Sequence, residues 1–227
     1  MAGWYRRSPL PIRPLTRIKG GRPKPKPNRS DHLRWFPGPP GRFRVVRKPP
    51  GRQRYHPAGA EEIERFVGLI PSWEEISCDL DGVMLCAPWQ EEYPDTEGLY
   101  GEHAIILFSW PRQPEERFRH SFTRQLPEVA GRLSLRERRK DRDYAVTWSP
   151  SQARAYVLLF VLLHEIGHHV DWLLCRRGRY ARRGESFAED WAADCRQRIW
   201  DCFLQAFGEI EPAAGQARGA GRLLHRD

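Results

Sequence analysis

Residues 163–172 read LHEIGHHVDW, so that His164, Glu165 and His168 form HExxH at the end of an apolar run. On a helix, positions four apart lie about 40° apart around the axis and about 6 Å along it, which lets both imidazoles reach one ion. Glu165 stands about 100° from His164 and therefore lies beside that ion. A zinc hydrolase needs this set. Two neutral imidazoles and a third ligand leave one coordination position for water, the metal lowers that water's pKa toward about 7, and a neighbouring carboxylate takes its proton during attack on a carbonyl. His164 and His168 are the expected Zn2+ ligands and Glu165 the expected general base. His169 lies about 100° past His168 and cannot share the ion with both, so it is assigned to the surroundings of the ligands; Gly167 is expected to give room at the cleft. The bland alternative, a polar patch without a metal, leaves three polar side chains inside an apolar helix, a costly arrangement unless partners exist.

Partners occur downstream. In GESFAEDWAADC, residues 184–195, Glu185 and Glu189 are four apart at the start of another helical segment and can face the first helix together. Glu185 is the expected third ligand, and Glu189 the carboxylate that orients a ligating histidine through its other ring nitrogen. Glu189 or Asp190 as the ligand is the competing assignment. The small Ala188 and Ala192 would let the two helices approach closely.

HEIGH, followed seventeen residues after His168 by Glu185 in the pattern ExxAxxxA, resembles the gluzincin metallopeptidases, most closely the compact ImmA/IrrE-like group with its HExxH and ExEAN motifs. Glu185 matches the first glutamate of the second motif, Ala188 its alanine, Trp191 the phenylalanine beyond it and Ala192 the last alanine. Phe187 replaces the second glutamate and Glu189 the asparagine, although Glu189 also fits the wider ExxxD pattern, whose second carboxylate supports a histidine. The resemblance is specific at residues 164–192. It implies a small zincin-like domain with an antiparallel edge strand, at 103–110, along a cleft that takes a protein or peptide substrate. It also implies an oxyanion-stabilising tyrosine between the second histidine and the glutamate, for which Tyr180 is the candidate and Tyr100, His103 and His120 are alternates. The metzincin extension would need glycine at Asp171 and histidine at Leu174, and SprT-like proteases use a later histidine, whereas the only one after His169 is His225. Asp171 is read as a polar contact or a partner of the basic loop that follows.

The elements that must position these residues follow from periodicity. Ile63, Phe66 and Val67 predict a helix over 59–69, and runs at 76–86 and 103–110 predict two strands of a small antiparallel sheet. Residues 114–143 are ambiguous, with short helices expected at 114–122 and 127–135. Ser149, Pro150 and Gln152 spell a helix start with a capping box, and the pattern then runs to about 175. Phe187, Trp191, Cys195, Ile199 and Phe203 line one face of a last helix over 185–207. The fold class expected is α+β, a compact zincin-like domain with a buried active-site helix.

Charge divides the chain. Residues 1–57 hold 16 Lys and Arg against one Asp, while the remainder has 22 against 28 acidic residues. With repeated Pro and Gly and few aliphatics, 1–57 is read as a disordered basic arm able to hold nucleic acid non-specifically, 58–208 as the metallopeptidase domain and 209–227 as a flexible tail. Five cysteines without a CxxC pair indicate neither a disulfide framework nor a zinc ribbon, and fit a cytoplasmic setting. Prolines 9, 11 and 14 break any secretory pattern. The apolar run at 155–163 has about half the roughly 20 residues a spanning helix needs, so no membrane role is expected.

Overall fold

The computed structural model describes residues 17–19, 22–24, 36, 43–88, 97–101, 103–176 and 183–214. Strands β1 (Arg17–Lys19) and β2 (Arg22–Lys24) pair antiparallel. Then come β3 (Arg44–Arg47), β4 (Arg54–Tyr55), α1 (Ala60–Val67) and the single turn α2 (Trp73–Ile76). Strands β5 (Gly82–Cys86), β6 (Gly98–Gly101), β7 (Ala104–Phe108), β8 (Trp110–Pro111) and β9 (Glu115–Phe118) follow. Short helices α3 (Phe122–Gln125) and α4 (Pro127–Arg132) precede β10 (Glu137–Lys140) and β11 (Asp143–Thr147). A long helical rod is built of α5 (Pro150–Tyr156), a π-helical stretch Val157–Leu162 and α6 (Leu163–Arg176), and α7 (Glu185–Phe207) packs against it. The class is α+β, with small sheets and separate helices.

The central sheet has the order β3–β5–β7–β6. Its first three strands are parallel and only β6 is antiparallel, so the sheet is mixed where an antiparallel one was expected. Alternation along the two inner strands explains their burial on both faces. Val83, Leu85, Ile105 and Leu107 join the main core with the helices, whereas Met84, Cys86, Ala104, Ile106 and Phe108 form a second cluster on the opposite face. Phe36 completes that second cluster at 1% exposure.

Four expectations need correction here. The folded body includes Phe36 and residues 43–57, which the sequence reading gave to the arm, because β3 supplies the neighbour that β5 requires and β4 pairs with β8. The run at 76–86 is a strand only from Gly82, where φ is +148° and a Cβ would overlap the Arg44 carbonyl; the residues before it form a turn with Asp79 at φ +64°. The strand within 103–110 is internal, and the edge belongs to β6, whose GLYG sequence carries too little apolar signal to announce a strand. Residues 115–118 of the expected 114–122 helix are instead β9, held by β11 in the antiparallel sheet β10–β11–β9.

The helix start at Ser149 forms as its residues dictate. Ser149 Oγ accepts from the Gln152 N–H at 3.1 Å, and Gln152 Oε1 accepts from the Ser149 N–H at 2.9 Å. Eight residues after Ser149 the rod widens into the π stretch, which no periodicity foretold. The buried Arg196 of α7 serves this stretch: its Nη1 donates to the Leu159 carbonyl at 3.2 Å, its guanidinium lies 4.2 Å from the Phe160 ring centroid, and its Nη2 meets Glu128 at 3.0 Å. Pro150–Arg176 is long and apolar enough to cross a membrane by length and composition, but 72% of its apolar window is buried within the fold, as in a core helix.

Phe36 gives a direct test of the corrected boundary. Phe36→Ala should lose about 3–5 kcal/mol, as truncation of a buried phenylalanine does, and lower the melting temperature by roughly 6 °C or more. A melting temperature equal to that of the wild type would show that Phe36 is not seated on the sheet.

Candidate metal centre

His164 and His168 stand one turn apart on α6, with their Nε2 atoms 3.0 Å apart. The Glu185 carboxylate, from the first residue of α7, reaches both: its Oε2 is 3.2 Å from His164 Nε2 and its Oε1 3.5 Å from His168 Nε2. These three donors lie within 4.8 Å of one another. His164 is buried and Glu185 has a side chain 68% exposed, so the group opens to solvent from the α7 side. Glu189, the other candidate ligand, is half-buried and forms no hydrogen bond or ion pair with a described residue. Asp190 is exposed and stands outside the cluster.

The three donors are electrostatically coupled. The His164 and His168 hydrogen bonds hold the Glu185 carboxylate well below the ordinary carboxylate range. Burial opposes protonation of His168, but Glu185, Glu165 and Asp171 together raise its pKa above the usual histidine value. Two imidazole nitrogens facing each other at 3.0 Å beside an anion need a proton or a cation between them, since otherwise their lone pairs repel. The donor set therefore fits a small divalent ion with nitrogen and carboxylate preference, and zinc suits it.

Glu165 lies beneath β6. Its carboxyl is fully enclosed and burial raises its pKa, opposed by His164 and His168, while the Tyr100 backbone N–H donates to it. Gly98 makes this proximity possible, because a Cβ there would come within 2.6 Å of Val161 Cγ1 and 3.1 Å of Glu165 Oε1. Sequence reading missed Gly98; its one signal was the glycine at each end of GLYG.

Two more residues secure the walls. Asp171, 3% exposed, accepts the Arg183 and Gly184 backbone N–H groups, each at 3.0 Å, and so fixes the chain at the point where Glu185 begins α7. Its expected link to the basic loop runs through these backbone groups and through the Arg183 side chain, whose Nε lies 3.8 Å from Asp171 Oδ1. His169 is fully buried and takes no part in the donor cluster. Its Nε2 lies 3.0 Å from the Ile76 carbonyl and 3.1 Å from that of Cys78, so Nε2–H donates and Nδ1 accepts the Tyr100 hydroxyl at 3.0 Å. Burial pushes its pKa down to about 4, which keeps the ring neutral for this bridge. His169 therefore ties β6 and the turn after α2 to α6.

Among the oxyanion candidates, Tyr180 lies outside the described residues. Tyr100 commits its hydroxyl to His169, His103 bonds the Asp79 carbonyl through Nδ1 at 2.8 Å, and His120 is exposed beyond β9. Comparison with protein-family models, curated proteins and solved structures returns no match for this chain.

Glu97, at the foot of β6, provides a pH test of this wall. The Tyr156 hydroxyl donates to its Oε2 at 2.8 Å, and burial together with Glu116 pushes its pKa up to about 8. A carboxyl with a raised folded-state pKa binds more protons folded than unfolded, so stability is full below the unfolded value and is lost as pH climbs toward 8. Glu97→Gln should remove that loss: its melting temperature should fall less than the wild type's between pH 5 and pH 8. Parallel melting curves for the two proteins across this range would contradict a protonated Glu97 held by Tyr156.

Proposed function

We propose that this chain is a zinc-dependent metallopeptidase of gluzincin type, similar in its site to the ImmA/IrrE-like group. The convergence of His164, His168 and Glu185 beside the enclosed Glu165 is the observation that carries this reading. His164 Nε2, His168 Nε2 and the Glu185 carboxylate would hold the ion. When bound, zinc supplies Lewis acidity, polarising a carbonyl and bringing the pKa of water toward about 7.

Glu165 supplies the base. One side of its carboxyl is steadied by the Tyr100 N–H, and its burial favours taking up a proton and holding it at the carboxyl for transfer to the departing amine. Strand β6 ends the sheet among the described residues and runs directly over Glu165, so an extended peptide pairing with that edge would present its scissile bond to the site. Closure of this wall against α6 excludes bulk water from Glu165. The exchange of the family's glutamate for Phe187 places an aromatic ring 3.9 Å below the Arg183 guanidinium, away from the ligand group. The other reading, a nucleic-acid-associated protein acting through residues 1–57, concerns a segment most of which lies outside the described residues.

The experiment compares cleavage products in host lysate together with metal content. Wild type should carry about one zinc per chain. Glu165→Gln should keep the metal and lose about 10²–10⁴-fold in cleavage rate, whereas His168→Ala should lose both metal and cleavage. Equal proteolysis by wild type and Glu165→Gln on every substrate would sink the assignment, as would a wild type that takes up no zinc.

A further inference from the structure

The antiparallel sheet β10–β11–β9 packs Val146 and Phe118 into the core from one face, which also carries Glu116, Glu137 and Arg139, and its register groups Arg117, Arg138 and Lys140 on the other face. Arg138 pairs with Ala145 and Ala145 with Arg117, so these three share a cross-strand row. Side chains two residues apart along a strand return to the same face, which adds Lys140 on β10, Glu115 on β9, and Asp143 and Thr147 on β11. The opposite face carries Val146 and Phe118, which pack into the main core. Arg138, Arg117 and Lys140 have side chains 64%, 50% and 39% exposed. Ala145 at the centre is small and buried, so the long cationic side chains stand around a low floor.

Glu115 answers three cations at once: it bonds Arg138, lies 2.9 Å from Lys140 Nζ and 3.8 Å from Arg117 Nε. Glu115, together with Asp143 opposite Lys140, leaves the three cations one positive charge in excess. Exposed Arg119 and Arg136 flank the same strands, and Arg142 sits on the connecting turn. Arg138 and Lys140 stand about 7 Å apart along a strand, and Arg138 and Arg117 about 10 Å apart across three strands, with their charged groups gathered around Glu115. Guanidinium groups so clustered suit the phosphate oxygens of a phosphodiester chain, to which they bond in bidentate fashion. Among the described strand residues of this face none is aromatic and able to stack on exposed bases, which favours the backbone of a duplex over a single strand.

We propose that the outer face of the β9–β11 sheet docks the phosphate backbone of a nucleic-acid duplex through Arg117, Arg138 and Lys140, without reading sequence. This surface belongs to the folded body, and its three cations lie outside the His164, His168 and Glu185 cluster. Glu115 tempers its charge.

The test titrates full-length protein against a short fluorescent DNA duplex of mixed sequence over a range of salt concentrations. Replacing Arg117, Arg138 and Lys140 together by Gln should weaken binding about tenfold or more at moderate salt and flatten the slope of log affinity against log salt by about two to three units. Glu115→Gln should act in the opposite direction, tightening binding and steepening the slope, an outcome that no folding defect would produce. Unchanged affinity and slope in both variants overturn the proposal and place any binding elsewhere in the chain. Tighter binding to a single strand than to the duplex overturns the duplex assignment. Displacement of the duplex by polyglutamate at equal charge overturns nucleic acid in favour of an acidic protein segment.

Discussion

The approach of α7 to α6 at Gly167 is the contact on which the candidate centre depends. A Cβ on Gly167 would come within 2.8 Å of both Cα and the carbonyl oxygen of Ala188, so the helices meet backbone to backbone. That distance brings Glu185, one turn before Ala188, onto the imidazoles of the neighbouring helix. Sequence reading expected Gly167 to make room in the cleft; the space it leaves is filled by α7. Asp171 secures the same junction from the other side by taking two backbone N–H groups at the entry to α7. A carboxylate buried without such donors would be strongly unfavourable, so the loop is drawn to it as firmly as it is drawn to the loop.

The apolar half of the rod imposes a second constraint. Residues 157–162 are almost wholly buried, and their helix must present His164 and Glu165 at a chosen angle immediately afterwards. A π stretch changes the number of residues per turn and so rotates everything beyond it relative to α5. Arg196 satisfies the Leu159 carbonyl within that stretch and returns its charge to Glu128. The same α7 that brings Glu185 therefore also stabilises the register of the histidines. The two helices set the site jointly, and neither would do so alone.

What could be read beforehand follows physical range. The capping box at Ser149, the 185–207 helix and the three-residue HExxH cluster are local, written into spacings of three and four. Glu185 was accessible because two helices joined by a short connection face each other. The mixed sheet was not accessible: parallel neighbours such as β3 and β5 are far apart in sequence, and a four-residue RVVR inside a proline-rich basic segment looks like arm. Phe36 was hidden for the same reason. His169 is set apart from the proposed ligands by helical angle, but its partners Tyr100, Ile76 and Cys78 come from two other elements, so its bridging task could not be inferred.

Strand β6 shows why those distant contacts matter. An edge strand of four residues with glycine at both ends has little propensity of its own, and among the described residues it pairs on one side only, with β7. Three links to the helical rod compensate: the Tyr156 hydroxyl to Glu97, the Tyr100 N–H to Glu165, and the Tyr100 hydroxyl to His169. Each link uses a different group, and all three bind the strand to one rod, on either side of the π stretch and beside the histidines. The strand is therefore positioned by the helix it covers more than by the sheet it terminates. Its outer edge, which must stay open if an extended chain is to pair there, carries none of these tethers and need not contribute to holding the wall in place.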